Sequence, residues 1–342
     1  MPWSMTDADL SDLEVGLSIL GGGGGGDPRT ARPLARPGWR REIFGFEDLD
    51  PDTVCIAVGI SGSTMVHSER LLDPDAFGVA IAAVERWTGR PVQAICNTEC
   101  AGVNGMLTLV AEPALPLVDA DLMGRALPGL NQFSLVVDGL DPVAATVTGA
   151  GGVLLVDGSR PEEFERILRG GFEAGVGFAP LALGAFPLAF LADHVIQGTL
   201  GRALTLGRKW RAAPELGPEL LAELGGRWLG HGRVTAIANQ REQRTRLVTL
   251  GGVHSQLRVV ARDEYVACLR DGLVVARAPD IIVMADLSTR SLVPVDRLRT
   301  GQHLAVASLP VAEWWYQRPS RLASVLPSHY GLAGLDEVED PT

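Results

Sequence analysis

The chain has 342 residues, of which 46% are hydrophobic and 21% charged, and its formal net charge at pH 7 is -11. This length is enough for two hydrophobic cores, and the composition excludes a disordered or fibrous protein. The acidic balance argues against nucleic-acid binding, because contact with phosphate groups needs clustered lysine and arginine.

The N-terminal twenty residues are acidic and helical in pattern, not basic and then apolar as in an export signal, so a cytoplasmic location is expected. The four cysteines form no Cys-x-x-Cys pair, which fits reduced thiols. The uncharged run 176–192 is close to the roughly 20 residues that a membrane helix needs. Pro180, Gly184 and Pro187 would break such a helix, so we expect a buried strand, a turn and a helix start, and no membrane partner.

The first predicted element is a helix over residues 8–20, preceded by Thr6 and Asp9 at the spacing of a capping box. Six consecutive glycines, residues 21–26, follow it and end in Asp27-Pro28. Glycine lets the backbone approach a ligand and turn N–H groups toward it. The run is therefore either a loop that lines a ligand crevice or a flexible linker.

The next stretch, residues 29–41, is rich in proline and arginine and predicts a surface loop. A strand is expected over 53–60, with Ser61 at its end, and a helix over 75–88 that Asp73-Pro74 would cap. These elements predict a βαβ order and a parallel sheet.

The centre of the chain predicts a strand over 92–96, a helix over 98–111 and a second strand over 115–118. Polar residues follow each strand. They are Glu99 and Asn104 after the first strand and Asp119, Asp121 and Arg125 after the second. Because the carboxyl ends of parallel strands share one edge, these side chains are expected to meet in one crevice.

The remaining chain predicts short strands over 133–137, 144–147 and 153–156, and helices over 161–169 and 198–212. From residue 232 the pattern changes to period two, which predicts strands over 234–237, 245–250, 257–261, 281–285 and 304–307. The fold class is thus α/β. An N-terminal domain (1–165) has a mainly parallel βαβ sheet, and a C-terminal domain (166–335) is β-rich with leading helices.

Three carboxylates, Glu99, Asp119 and Asp121, carry the predicted chemistry. A hydrolase needs either a base with a raised pKa or a metal that acidifies water, and grouped carboxylates can serve both. The alternative is that Asp119 and Asp121 cap a turn and bind Arg125.

Histidine and cysteine are two further candidate side-chain types. The histidines are scattered; His67 is the best placed, because it closely follows a strand end, and a divalent metal such as zinc stays an alternative. Cys100 at a helix start is the alternative nucleophile, since a thiolate there would be activated.

The sequence also resembles a known family. The matching segments are LSILGGGGGGDP (17–28), VCIAVGISGS (54–63), QAICNTECAGVNG (93–105), VDADLMGRALP (118–128), QGTLGRALTLG (197–207) and EYVACLRDGLVVARAPDIIVMAD (264–286). In order and content they resemble the DUF917 family, whose characterised branch is named S-methyl thiohydantoin desulfurase. The family usually has Glu-apolar-Gly-Gly where this chain has Glu99-Cys100-Ala101-Gly102, and it has no cysteine there.

The resemblance implies hydrolysis of the C–S bond of an S-methylated thiohydantoin, giving a hydantoin and a thiol. In that reaction Glu99 would be the base, Asp119 or Asp121 an acid or ring N–H acceptor, and Asn104 and Arg125 would orient the ring. The glycine-rich segment would bind substrate through Gly24, Gly25, Gly26 and Asp27, with Ser61 nearby. The implied partner is a small heterocycle, with C–S or C–N cleavage, and a homo-oligomer is compatible with the sequence. The alternatives are a ring-forming or ring-modifying tailoring enzyme and a non-catalytic binding protein that uses the same cleft.

Overall fold

The structure is a computed structural model that describes residues 1–69, 75–111, 115–148, 151–158, 160–175, 177–240, 245–252 and 255–339. In these ranges the strands form two sheets, one of nine strands and one of seven. The α/β fold class expected from the sequence is confirmed.

The first sheet has a parallel centre and antiparallel edges. Its strands are β1 Trp3–Thr6, β2 Arg40–Phe44, β3 Val54–Gly62, β4 Ala94–Asn97, β5 Leu117–Asp121, β6 Ala144–Val147, β7 Val153–Val156, β8 Phe178–Pro187 and β9 Ile196–Gln197. Their order is β1-β2-β5-β4-β3-β8-β6-β7, with β9 paired to β5. The strands β2, β5, β4 and β3 run parallel, as the βαβ pattern predicts, and the other pairings are antiparallel. This sheet takes strands from both sides of residue 165.

The described residues also form ten α-helices. They are α1 Leu10–Gly21, α2 Thr64–Glu69, α3 Ala76–Thr88, α4 Gly102–Ala111, α5 Ser134–Val137, α6 Pro161–Ala174, α7 Leu188–Leu191, α8 Thr199–Ala212, α9 Pro218–Glu223 and α10 Pro319–Ala323. The predicted capping box is present, since the Thr6 backbone N–H and hydroxyl both donate to Asp9 Oδ2 over 2.9 Å. It caps a 3-10 turn, Asp7–Asp9, that leads into α1.

The second sheet is antiparallel throughout and is β-rich as expected. Its strands are β10 Arg227–Gln240, β11 Thr245–Gly251, β12 Gln256–Ala261, β13 Tyr265–Arg270, β14 Leu273–Arg277, β15 Ile281–Asp286 and β16 His303–Leu309. The strands β13 and β14 are not predicted by the sequence pattern. Both are largely buried on their two faces, so they lack the period-two alternation on which the prediction depends.

Two other predictions are wrong in part. Residues 29–41 are not a plain loop, because 3-10 turns form at Pro28–Thr30 and Arg32–Leu34, and β2 begins at Arg40. Residues 133–137 form the short helix α5 instead of a strand, which shows the ambiguity of a short buried apolar run. The predicted cap Asp73-Pro74 lies outside the described residues.

Within the uncharged run 176–192, residues 178–187 form the buried strand β8 and residues 188–191 form the short helix α7, as expected, and residue 176 lies outside the described residues. In the part of the chain that the structure describes, no helix has the length and apolarity needed to cross a membrane.

The crossing of α1 and α8 positions the loop that follows α1. A Cβ placed on Gly16 would lie 1.7 Å from the Ala203 carbonyl oxygen, and one on Gly207 would lie 1.7 Å from the Asp12 carbonyl oxygen. Only glycine permits this close backbone approach. The first helix is thereby fixed against α8, and its C-terminal end is held at the mouth of a large cavity.

Candidate functional site

A cavity of about 1780 Å³ lies between the two sheets. Residues of the first sheet and its helices line one wall, including Ser61, Glu99 and Asn104, and the second sheet contributes Arg246 and Glu264. Residues 23–27 of the glycine run also line it. The C-terminal β-rich segment thus covers the crevice that the sequence predicts.

The glycine loop, defined as residues 22–27, is bonded to both halves of the molecule. The Gly22 carbonyl accepts a hydrogen bond from the Tyr265 N–H (2.8 Å), and the Gly23 carbonyl accepts one from the Val295 N–H (2.9 Å). On the other side the Gly25 carbonyl accepts from the Val103 N–H at the start of α4 (2.8 Å).

Several N–H groups of the glycine loop remain available for a ligand, among them those of Gly25 and Gly26. Gly25 and Gly26 have φ angles of 74° and 75°, and their N–H groups donate no hydrogen bond to any described residue. Successive N–H groups in such a conformation can form an anion-binding concavity. The loop is therefore anchored through its carbonyl groups, and it leaves donors at the cavity wall.

Glu99 lies between β4 and α4 and is 9% exposed. Burial raises the pKa of Glu99 well above its usual range, the charges of Glu264 and Asp121 add to the shift, and the Leu127 N–H and the Asn104 side chain oppose it. Asn104 also joins α4 to β3, because its Oδ1 accepts from the Ile60 N–H (2.7 Å) and its Nδ2 donates to the Ile60 carbonyl (3.0 Å). Both residues line the cavity together, as predicted.

Glu264 is a cavity residue that sequence reasoning missed. It is 5% exposed, and its Oε2 atom has no hydrogen-bond partner among the described residues. Burial raises the pKa of Glu264 to about 8; the Asp263 charge adds to the shift, and Arg125 opposes it. The available signal was its position at the start of residues 264–286, one of the segments that resemble the family.

The carboxyl groups of Glu99 and Glu264 flank the glycine loop. A Cβ placed on Gly24 would lie 2.5 Å from Glu264 Oε1, and one on Gly25 would lie 3.4 Å from Glu99 Oε1. Adjacent Cα atoms are 3.8 Å apart, so the two Oε1 atoms are separated by no more than about 13 Å. One small ligand can therefore contact both carboxyl groups.

Asp119 does not line the cavity. It belongs to β5, and its carboxylate accepts hydrogen bonds from the Leu200 N–H (2.7 Å) and the Gly201 N–H (3.1 Å) in the first turn of α8. Burial raises the pKa of Asp119, and those two N–H groups oppose the shift. This geometry supports the capping alternative over a role in proton transfer.

Asp121 is fully buried behind the cavity wall. Its carboxylate accepts from the Cys100 N–H (2.6 Å) and the Gly124 N–H (2.8 Å), so it ties the loop after β4 to the loop after β5. Burial raises the pKa of Asp121 to about 7, while these N–H groups oppose the shift. Asp119 and Asp121 are the last residues of β5 rather than residues that follow it, which corrects the predicted end of that strand.

Cys100 is also fully buried and does not line the cavity. Burial raises the pKa of the Cys100 thiol well above its usual range, and the charges of Asp121, Asp119 and Glu99 add to the shift. The thiol is therefore protonated at neutral pH, which disfavours the nucleophile alternative.

Arg125 braces the second sheet against the glycine loop. Its Nη1 atom donates to the carbonyls of Pro279 (2.8 Å) and Asp280 (2.6 Å), and a Cβ placed on Gly22 would lie 2.7 Å from its Nη2 atom. It does not line the cavity, and it makes no ion pair with Asp119 or Asp121 in the described residues. Its place fits a positioning role.

The other predicted residues are divided between the cavity and the core. Asp27 lies at the cavity and pairs with Arg29, whose Nη2 is 2.7 Å from Asp27 Oδ2. His67 is buried against the Phe178 ring and is not a cavity residue. Within the described ranges, no three His, Cys, Asp or Glu side chains are arranged to hold a metal ion.

Comparisons with known proteins agree along the whole chain. Residues 8–157 match the family described as S-Me-THD-like, N-terminal domain, and residues 159–339 match S-Me-THD-like, C-terminal domain. A crystal structure of a protein from Chromobacterium violaceum is similar with a TM-score of 0.81 and 23% identity, covering 99% of this chain and 100% of the other. This similarity shows a shared fold. No curated protein matches the chain.

Proposed function

The chain belongs to the S-Me-THD-like family, and we propose that it is an enzyme that hydrolyses a small thiohydantoin-type heterocycle with Glu99 as the base. The observation that carries the proposal is the placement of Glu99. Its buried carboxyl group lies on the cavity wall beside Asn104 and the glycine loop.

The reaction needs water delivered to an amidine-like ring carbon that carries sulfur. A carboxylate of ordinary pKa is a weak base toward water, and a raised pKa brings it closer to the pH at which the enzyme works. Burial of Glu99 supplies that rise. The adjacent Asn104 side chain is held by Ile60 at both its oxygen and its nitrogen, so this part of the wall is rigid.

The glycine loop is suited to the charge that develops on the ring. The N–H groups of Gly25 and Gly26 are not used by described residues, and a Cβ placed on Gly25 would lie 3.4 Å from Glu99 Oε1. Donors that are already oriented stabilise a developing negative charge without reorganisation. They would hold a ring oxygen or nitrogen while water attacks the carbon.

The size of the cavity bears on the substrate. At about 1780 Å³ it exceeds the roughly 300–1,000 Å³ of most small-molecule pockets. A bare five-membered ring would leave most of it empty. We therefore expect a ring with a large substituent, which would extend from Glu99 toward the Arg246 side of the cavity.

A panel of heterocycles tests the proposal. Purified protein would be mixed with S-methylated thiohydantoins, thiohydantoins and hydantoins, and thiol release and ring opening would be followed with and without a chelator. We expect thiol release from an S-methylated member that carries a large substituent. Tight binding of one heterocycle with no turnover of any would favour the non-catalytic binding protein instead. A modified ring that has not gained the elements of water would favour the tailoring enzyme.

A further inference from the structure

We infer that Glu264 is the proton donor of the cavity and works as a pair with Glu99, an inference that rests on the proposed hydrolysis. The local hydrophobic pattern does not single out this residue. Its placement at the glycine loop does.

The position of Glu264 is fixed by its neighbour. The Tyr265 N–H donates to the Gly22 carbonyl, and this bond attaches the start of β13 to the glycine loop. The Tyr265 hydroxyl in turn donates to the Val293 carbonyl (2.7 Å), which holds the ring in the second core. Glu264 Oε1 is thereby brought against Gly24, at a distance that leaves no space for a Cβ.

One carboxyl oxygen of Glu264 makes no hydrogen bond within the described residues. Its Oε2 atom is buried and has no partner among the described residues, although the side chain lines the cavity. A buried carboxylate oxygen without a donor is costly, because charge in a low-dielectric site is not compensated. A carboxylic acid at this place lowers that cost, and its O–H group can donate to a ligand.

The surroundings assign different protonation states to the two carboxyl groups. Glu99 has the Leu127 N–H and the Asn104 side chain as donors, and it precedes the N-terminal end of α4, where the helix dipole favours negative charge. Glu264 Oε2 has no donor among the described residues. Burial and Asp263 raise the pKa of Glu264, Arg125 and Arg262 lower it, and Glu99 and Glu264 repel each other when both are charged. The hydrogen-bond donors therefore favour the negative charge on Glu99 and leave the proton on Glu264.

With Glu99 as base and Glu264 as acid, every proton in the reaction has a donor and an acceptor. Water oxygen bonds to the ring carbon, one water proton moves to Glu99, and the C=N electrons move to the ring nitrogen, which takes the proton of Glu264. The C–S bond then breaks, and the departing thiolate takes the proton held by Glu99. The remaining hydroxyl proton returns to Glu264 as the new carbonyl forms. Water is the co-reactant, and both carboxyl groups regain their starting states.

The test compares Glu264→Gln with Glu215→Gln, a control at an exposed loop position. Glutamine keeps the size and can still donate a hydrogen bond, but it cannot transfer a proton. We expect kcat for Glu264→Gln to fall by about 10²–10⁴-fold with little change in KM, and the alkaline limb of the pH profile to disappear. Unchanged kcat, or a loss confined to KM, would overturn the proton-donor role.

A second measurement does not depend on turnover. Carbon-13 NMR of the glutamate carboxyl groups would follow the titration of Glu264 in the wild type, in Glu99→Gln and in Glu215→Gln. We expect the Glu264 midpoint to move to lower pH in Glu99→Gln and to stay in place in Glu215→Gln, because Glu99 is already charged when Glu264 loses its proton. A Glu264 midpoint that is the same in the wild type and in Glu99→Gln would overturn the pair even in an active hydrolase. A coupled pair without turnover of any heterocycle would instead reject the proposed reaction.

Discussion

Glu99 and Glu264 come from opposite halves of the chain, and their Oε1 atoms lie against the consecutive residues Gly25 and Gly24. Each carboxyl group is buried, and burial raises the pKa of both. The glycine loop between them is bonded to α4 on one side and to the second sheet on the other. A ligand at this loop would therefore meet one carboxyl group from each wall.

Exchange of Glu99 for its amide tests the base. Glu99→Gln is nearly isosteric, so the fold and ligand binding should persist while turnover falls by roughly 10²–10⁴-fold. Cys100→Ser should cost far less, because Cys100 is buried away from the cavity. Steady-state kinetics of both variants would check this ranking, and the reverse ranking would point to a thiolate nucleophile.

The close contact between the glycine loop and Glu264 predicts a difference between two glycines of the same run. In Gly24→Ala the new Cβ would meet Glu264 Oε1 at 2.5 Å and displace the carboxyl group. We expect kcat to fall by about tenfold or more, since small misplacements of a catalytic group are costly. Gly21→Ala is the matched control, because a Cβ there meets nothing within 4 Å. Equal kinetics for the two variants would show that the contact has no catalytic role.

Removal of the Asp119 carboxylate should affect stability and leave the chemistry intact. Asp119→Ala takes away two acceptors from the first turn of α8. Loss of such a cap typically lowers the free energy of unfolding by about 0.5–2 kcal/mol. Denaturant melts would measure this loss against Asp52→Asn at an exposed position, and kcat of the folded variant would be compared with the wild type. A large fall in kcat with unchanged stability would instead return Asp119 to the catalytic machinery.

Glu264 also predicts how stability depends on pH. Its pKa in the folded protein, about 8, is higher than the ordinary value of 4.5, so the folded state holds the proton more tightly. The stabilisation is complete below the ordinary pKa and is lost as pH rises through the folded value. Glu264→Gln cannot ionise, so its free energy of unfolding relative to the wild type should increase between those two pH values. Urea melts across that range would measure this difference in the free energy of unfolding. If Glu264 were exposed to solvent and had its ordinary pKa, the difference would stay constant between the two pH values.

Local patterns in the sequence predicted the part of the fold that depends on neighbours along the chain. The central strand, helix and strand are present as β4, α4 and β5, and the glycine run does line the cavity. The end of β5 was misplaced because its last residues are set by long-range pairing. Asp121 pairs with Asn97 in β4 and with Ile196 in β9.

The site was predicted in part for the same reason. Glu99 and Asn104 could be placed at a cavity because they follow a predicted strand end. Glu264 could not, since its approach to Gly24 depends on a backbone bond between Tyr265 and Gly22 that no local pattern encodes. Asp119 showed the reverse problem. It follows a strand-like run, but its carboxylate accepts hydrogen bonds from two N–H groups of α8 and does not line the cavity.

The most direct test of the hydrolytic role uses water labelled with oxygen-18. An S-methylated thiohydantoin would be incubated with wild-type protein in labelled water. Mass spectrometry would then determine the oxygen-18 content of the ring product and the amount of released thiol. Hydrolysis with Glu99 as the base should give one labelled oxygen in each hydantoin formed, an equal amount of free thiol, and a loss of both in Glu99→Gln. Thiol release without label in the ring, or full labelling in Glu99→Gln, would contradict it.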